Sequence, residues 1–526
     1  MIEPSRLLER LSELLGAEHV SADARVLGRA ESATFATRQR LVAVACPGSR
    51  AEVRACVLLA RELGVTLYPI SRGKNWGLGS RVPPETGAVL LDLGRMNRIE
   101  AFDEEMAWVT VEPGVSFADL YDFLRARGSR LFANTTGASP HASVLGNALE
   151  RGDGTGPYGD RAAHVCALEA VLPTGELVRT GFSRFSGTPL APLHRWGVGP
   201  SLDGLFTQSN LGIVTRMTLW LTPLPRSLSA VRFSVLEPER LPRLADALRD
   251  LRQDGTLRSV VGLWNDYRVL STREQYPWSL TGGRTPLSRA TLDTLRHTWG
   301  GARWFGTTAL YAPDDAIGAA LCARVERALG PLVDHLSIET RRGMPASGAE
   351  LFSEDDPAFR FLQGIPHEGS LRSLYWRKRT PPPSDPDPER DRCGVLWACP
   401  ALPFRGEDVA AAAALVEPLM LEHGFEPLIA MVAQSERTLY LVPLIIYDRD
   451  VGGEDARAMA CHDALLSALA ARGYLPYRLG IQAMHALPPP NDDSLTVLAR
   501  LKRALDPDDV LAPGRYDFRA RPAKDG

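Results

Sequence analysis

Apolar positions through the first 225 residues alternate between helical and strand spacing. The opening stretch MIEPSRLLERLSELLG puts apolar residues along one side of a helix. Ser49-Arg50-Ala51-Glu52 is a capping-box pattern, in which a serine hydroxyl and a glutamate three residues later satisfy free amides reciprocally. It predicts a helix running to about Leu63. GVTLYPI (64–70), GAVLLDL (87–93) and AWVTVEP (107–113) follow as apolar runs of strand length. Phe117, Leu120, Tyr121 and Leu124 then recur at helical spacing after Ser116, and CALEAVLPTGELVRTG (166–181) reads as a hairpin turned by Pro-Thr-Gly.

From about 226 to 475 the elements lengthen. Helices are predicted near 240–252, 314–329 and 408–423, and strands near 427–433 and 437–446. RKRTPPPSDPDPERDR (377–392) interrupts them. Its prolines lack backbone donors and its composition offers little apolar area to bury, so it is expected to be a surface loop. A last helix near 493–504 leads into ALDPDDVLAPGRYDF (504–518), and no internal repeat is visible. The pattern predicts an α+β protein in at least two parts.

Composition narrows the class. With 526 residues, 44% hydrophobic and 23% charged, the chain is long enough for two to four packed units and is neither fibrous nor disordered. The net charge of −3 and the absence of a basic run exclude a nucleic-acid footprint. No apolar run approaches the ~18 residues of a membrane span, and the acidic start is unlike a signal peptide, so a cytoplasmic protein is expected. Seven scattered cysteines form no CxxC pair and fit a reduced compartment, and ten histidines form no HxxxH or HExxH, so no metal is expected.

Three polar, glycine-rich segments carry the candidate chemistry. Tyr68 to Gly79 runs from a strand into Gly73, Gly77 and Gly79, interleaved with Ser71, Arg72, Lys74 and Asn75. Glycines let backbone amides approach a phosphate, although a tight turn would explain them as well. The spacing is neither GxGxxG nor a Walker loop. Thr135 to Asp160 combines glycines with hydroxyls and amides, suited to a flat ligand or to a long surface loop. The third is GPSLDGLFTQSNLGIVT (199–215).

In this order the three segments resemble the flavoprotein family of vanillyl-alcohol oxidase and the flavin subunit of 4-cresol dehydrogenase. SRGKNWGLGS (71–80) resembles its first phosphate loop, and SVLGNALERG with GPYGD (143–160) its second FAD segment. GIP (364–366), GEDV (406–409), GYLPYR (473–478) and LDPDDVLAPG (505–514) match further on. The resemblance implies a two-subdomain PCMH-type FAD-binding domain over 1–225 and an α+β cap domain with an antiparallel sheet over 226–475. A C-terminal segment, 476–526, returns to the FAD-binding domain. It further implies that Ser71, Arg72, Gly73, Lys74, Asn75, Gly77, Ser143, Gly146, Asn147 and Glu150 lie at the cofactor. Gly212, Ile213 and Val214 would run along the flavin, with Arg515 beside it. Tyr477-Arg478 falls on the pair that stabilises the substrate phenolate.

Three departures accompany the likeness. Leu78 stands where the family has a second phenolate tyrosine. The stretch before SVLGN lacks the family's acid, which matches Ala138 without gaps, and leaves His141 as the substitute acid/base. Val395 matches the cap residue that bonds covalently to the flavin, and Asn75 replaces the histidine that other branches use for attachment. Non-covalent FAD is therefore expected.

The resulting expectation is an FAD-dependent oxidoreductase that takes hydride from a para-substituted phenol at its benzylic carbon and passes electrons to O2 or another acceptor. Two other readings stay open: oxidation of a hydroxy acid, alcohol or biosynthetic intermediate whose carboxylate Arg478 binds, and a flavin subunit of an electron-transfer complex. A homodimer or larger homo-oligomer is implied.

Overall fold

The helix Arg50–Leu63 begins where its cap predicts. Ser49 Oγ accepts the amide of Glu52 at 3.2 Å, and the amide of Gly48 reaches Glu52 Oε2 at 2.8 Å. The helix ends at Gly64, whose left-handed φ of 64° releases the chain into the next strand. The computed structural model describes residues 4–342 and 357–516. Residues 1–3 and 517–526, the outer ends of the first and last expected segments, lie outside the described residues.

Beside a two-stranded pair, Leu131–Phe132 with Thr222–Pro223, two larger sheets occupy the N-terminal half. One has four strands in the order Val20–Ser21, Leu41–Ala45, Ala88–Asp92, Leu67–Ile70, the last three parallel. The other has five antiparallel strands in the order Ile99–Asp103, Trp108–Val111, Ile213–Trp220, Val165–Val171, Leu177–Arg179. The last two of these are the predicted hairpin. The C-terminal stretch packs back on the first sheet, where Leu67 donates to Val510 O and Ala512 donates to Leu67 O, each at 2.8 Å.

An eight-stranded antiparallel sheet dominates the second half. It runs His335–Arg341, Ser227–Val235, Trp304–Ala312, Val261–Asn265, Leu428–Ala433, Thr438–Asp448, Cys393–Trp397, with Ala401–Pro403 paired beside Thr438–Asp448. One face packs Leu263, Met431, Leu441 and Ile445 against the helices Leu241–Gln253, Asp315–Leu329, Gly406–Glu422 and Glu454–Ala470, forming a large core. The opposite face is set by register. Arg232, Thr307, Gly262, Val432 and Tyr440 lie opposite one another in one row, and Trp264, Ala430 and Val442 in the next. That face looks onto a cavity.

The segment 377–392 departs from the expected surface loop. Much of it is exposed, but Arg377 at its start and residues 387–389 near its end are buried. Arg377 donates to Glu426 Oε2 at 2.8 Å and lies 3.5 Å from Glu454, with its side chain 2% exposed. At the other end Asp387 pairs with Lys74 at 3.4 Å and Glu389 with Arg81 at 2.8 Å. Composition treats each charge as solvated. Here the charges meet partners far away in sequence, which offsets the cost of burying them.

Candidate active site

The strand Leu67–Ile70 ends at the first glycine-rich loop. Gly73, Gly77 and Gly79 have φ of 63°, 77° and 118°, values that side chains with a Cβ rarely adopt. Among the described residues, the backbone amides of Arg72, Gly73, Lys74, Asn75 and Trp76 have no acceptor. The second segment comes close at Gly146, where a Cβ would lie 2.3 Å from Ser71 Oγ. All the sequence-predicted site residues except His141 and Gly77 line one cavity of about 690 Å³.

Several of these side chains hold the frame. Ser143 Oγ donates to Pro113 O at 2.6 Å and accepts from the Gly146 amide at 2.9 Å. Asn147 Oδ1 accepts from Arg161 at 2.5 Å. Lys74 is ion-paired to Asp387, so it is not a free cation at the loop. Arg161, which the sequence reading missed, is buried and donates to the carbonyls of Asn134, Thr135, Gly152 and Asp153. Burial without a contacting carboxylate pushes its guanidinium down to about 10. It fixes the shape of the 134–161 loop.

Two guanidinium groups dominate the field in the cavity. Arg515 pairs with Glu150 at 2.7 Å, and Tyr516 donates to the other Glu150 oxygen at 3.1 Å. Burial alone would raise the Glu150 carboxyl, but Arg515 and Arg478 outweigh it and hold it below its usual range. Arg478 donates to Asn75 Oδ1 at 2.8 Å. Burial opposes its charge, yet Tyr477, Glu150 and Tyr516 raise the guanidinium above its ordinary value. One carboxylate therefore answers two guanidiniums, Arg515 buried and Arg478 part-buried. Arg478 Nε and Arg515 Nη1 are buried with no hydrogen-bond acceptor.

Tyr477 stacks on Tyr440 of the sheet face, with centroids 3.6 Å apart and planes at 8°. Its hydroxyl is pushed well above the ordinary range by burial, then by Asp153 and Cys399, so it stays a donor at neutral pH. Gln208, another residue missed in the sequence, donates to Tyr477 O at 3.1 Å and to Glu150 O at 3.4 Å. It ties the second and third segments to the Tyr-Arg pair. Lys502 does the same for the C-terminal motif, donating to Asn210 O and Leu511 O at 3.0 Å and to Asp506 at 2.5 Å.

Three expectations change. His141 is exposed and off the cavity wall, and only its backbone meets Arg72, so it is not positioned as an acid/base. The carboxylates on the wall among the described residues are Glu150, paired to Arg515, and Asp153. Gly77 also has a different job. Its amide donates to Thr34 Oγ1 at 2.8 Å, and an added Cβ would sit 1.7 Å from the Trp397 ring, so the glycine makes room for the indole and not for a phosphate. Val395 is wholly buried, and the residue of that strand on the cavity wall is Trp397, two positions on.

Similar proteins match nearly the whole chain. A 1'-carboxy-chondrochloren decarboxylase of Chondromyces crocatus is 49% identical over 526 residues, covering 98% of this chain and 97% of its own. The family described as FAD binding domain matches residues 42–181. The flavoprotein subunit of 4-cresol dehydrogenase (hydroxylating) from Pseudomonas putida is 28% identical, covering 98% and 95% of the two chains. A structure of p-cresol methylhydroxylase with substrate bound superposes with a TM-score of 0.88 at 25% identity, covering 98% of this chain and 97% of that one. The chain belongs to the PCMH-type family of FAD-linked oxidoreductases. A 4-ethylphenol oxidase from Gulosibacter chungangensis, in complex with isoeugenol, gives the same TM-score of 0.88 at 26% identity and the same coverage. FAD is the cofactor of this family member, and the chain's residues fit it. The unmet amides of Arg72 to Trp76 suit phosphate oxygens, and the unmet N–H groups of Arg515 and Arg478 suit a polar ligand.

Proposed function

We propose that this oxidoreductase oxidises a para-substituted phenol at its benzylic carbon, with Tyr477 and Arg478 holding the phenolate. The observation that carries the reading is a protonated tyrosine beside a part-buried guanidinium whose buried Nε has no acceptor, on the wall of the cavity. A free phenol has a pKa of ~10, and ionising it at pH 7 requires ~4 kcal/mol of preferential binding to the anion. A charge-assisted hydrogen bond from Arg478 and a second from Tyr477, away from water, are of that order. FAD, when bound, supplies the hydride acceptor. The phenolate oxygen releases electron density toward the benzylic carbon as the C–H bond breaks, leaving a quinone methide. Asp153 serves as the acid/base in the place first given to His141, because Glu150 is held by Arg515. Anaerobic mixing with 4-alkylphenols should bleach the flavin. Bleaching by simple hydroxy acids but by no phenol would overturn the reading, and reoxidation in air separates O2 from another acceptor.

A second reading rests on the relative at 49% identity, which is named for decarboxylation of a carboxylated compound. On that reading the substrate is a carboxylated biosynthetic intermediate, and CO2 is released in step with flavin reduction.

The FAD is proposed to be non-covalent. Val395 cannot form the bond, and Asn75 is engaged by Arg478. Denaturation should release all the flavin into the supernatant, and a fluorescent protein band on a denaturing gel would contradict this. Seven free cysteines support a cytoplasmic location. Phe185, Leu190, Trp196 and Val198, 44% to 71% exposed within one loop, support a homodimer or larger homo-oligomer.

A further inference from the structure

Five arginines line the cavity, and the phenol reading gives one of them, Arg268, no task. Arg268 lies on the helix Asp266–Arg273, directly after the strand Val261–Asn265 that carries Gly262 and Trp264 on the cavity wall. Its one side-chain hydrogen bond is to Ser271 Oγ, at 3.2 Å, a neutral partner on the same helix. Of the other arginines of the cavity wall, Arg478 has Asn75, Arg515 has Glu150, Arg232 has Glu339, and Arg72, at the first glycine loop, donates to the backbone carbonyl of His141. Among the described residues no carboxylate pairs with Arg268, and burial is the single influence on its charge, pushing it down to about 10. At neutral pH it remains a cation. Its side chain is part-buried and lines the cavity.

A buried charge without a counter-ion is costly, and such groups are found paired or awaiting a charged ligand. We propose that Arg268 binds a carboxylate carried by the substrate on the side chain para to its phenol. The inference rests on the phenol reading and deepens it, because it makes the substrate a dianion held at both ends. A carboxylate is favoured over a phosphate because one guanidinium neutralises the single charge of a carboxylate, whereas a phosphate monoester carries about −1.5 to −2 at neutral pH. Trp264, Ala430 and Val442, on the wall nearby, supply apolar surface for the connecting carbons.

The test compares 3-(4-hydroxyphenyl)propanoate with 4-propylphenol on the holoenzyme, and measures calorimetric binding of 3-phenylpropanoate, which lacks the phenol. Wild type should prefer the carboxylated phenol in kcat/KM. Arg268→Gln should lower that preference by about 30-fold or more and weaken 3-phenylpropanoate to a similar degree. Arg268→Lys should restore part of both, since it keeps the charge and loses the fork. It also keeps the test open should the glutamine variant fail to hold FAD. An unchanged preference ratio in both variants would overturn the assignment. If 3-phenylpropanoate binds in an Arg268-dependent way while neither phenol reduces the flavin, the phenol reading fails and Arg268 keeps its role.

Discussion

Arg478→Ala is expected to lower kcat/KM for a phenolic substrate by about 30-fold or more while FAD content stays normal. The figure follows from the ~2–5 kcal/mol lost when one partner of a buried, hydrogen-bonded charge pair is removed. Arg478 is part-buried and charge-coupled to Tyr477, Glu150 and Tyr516, and its buried Nε has no acceptor in the protein. Arg478→Lys should keep part of the activity, and Tyr477→Phe should cost less than either, because one hydrogen bond is lost and the stacking on Tyr440 remains. The pH profile gives the sign. Binding as phenolate requires the phenol proton to leave, so activity rises with pH until the bound phenol is ionised. Arg478 is raised above its ordinary value and stays cationic throughout, so it does not contribute a falling limb below the usual arginine range. Without that charge the rise should move to higher pH. Near-normal turnover by Arg478→Ala would end the phenolate reading.

Gly77→Val should reduce both thermal stability and flavin occupancy. The residue has φ 77°, a conformation that costs roughly 1–2 kcal/mol for a side chain with a Cβ. An added Cβ would lie 1.7 Å from the Trp397 ring, and overpacking of this kind costs about 1–3 kcal/mol more. Relief requires the loop or the indole to move. Movement of the loop breaks the bond to Thr34 and displaces Asn75, which Arg478 uses as its acceptor. Gly77→Ala should show the same effects, reduced in size. A melting temperature and flavin-to-protein ratio equal to wild type in the valine variant would contradict the packing described.

Local pattern carried much of the fold. The capped helix Arg50–Leu63, the hairpin Val165–Val171 with Leu177–Arg179, and the helix Gly406–Glu422 all lie where periodicity and turn residues put them. What escaped the sequence depends on partners distant in the chain. Within 377–392, Asp387 and Glu389 are buried where they meet Lys74 and Arg81, some 300 positions earlier. Arg161 and Lys502 bond mainly to backbone carbonyls, which leave no mark in side-chain patterns. The site was legible as a set of segments and less so as roles. The proposed acid/base Asp153 follows SVLGN, on the far side from the stretch where the family places its acid, and His141 is exposed, with its backbone carbonyl and not its ring bonded to Arg72. Gly77 looked like its neighbour Gly73, yet one serves an indole and the other lines the cavity.

The central claim is that this site holds a phenol as its anion. The direct measurement is the ultraviolet difference spectrum of the holoenzyme with 4-methoxyphenol, which has no benzylic hydrogen to lose, recorded at neutral pH. The account predicts the phenolate band for wild type, well below the ligand's solution pKa, and the neutral phenol band or no binding for Arg478→Ala. A neutral phenol spectrum in wild type, with affinity unchanged by the alanine substitution, would contradict it.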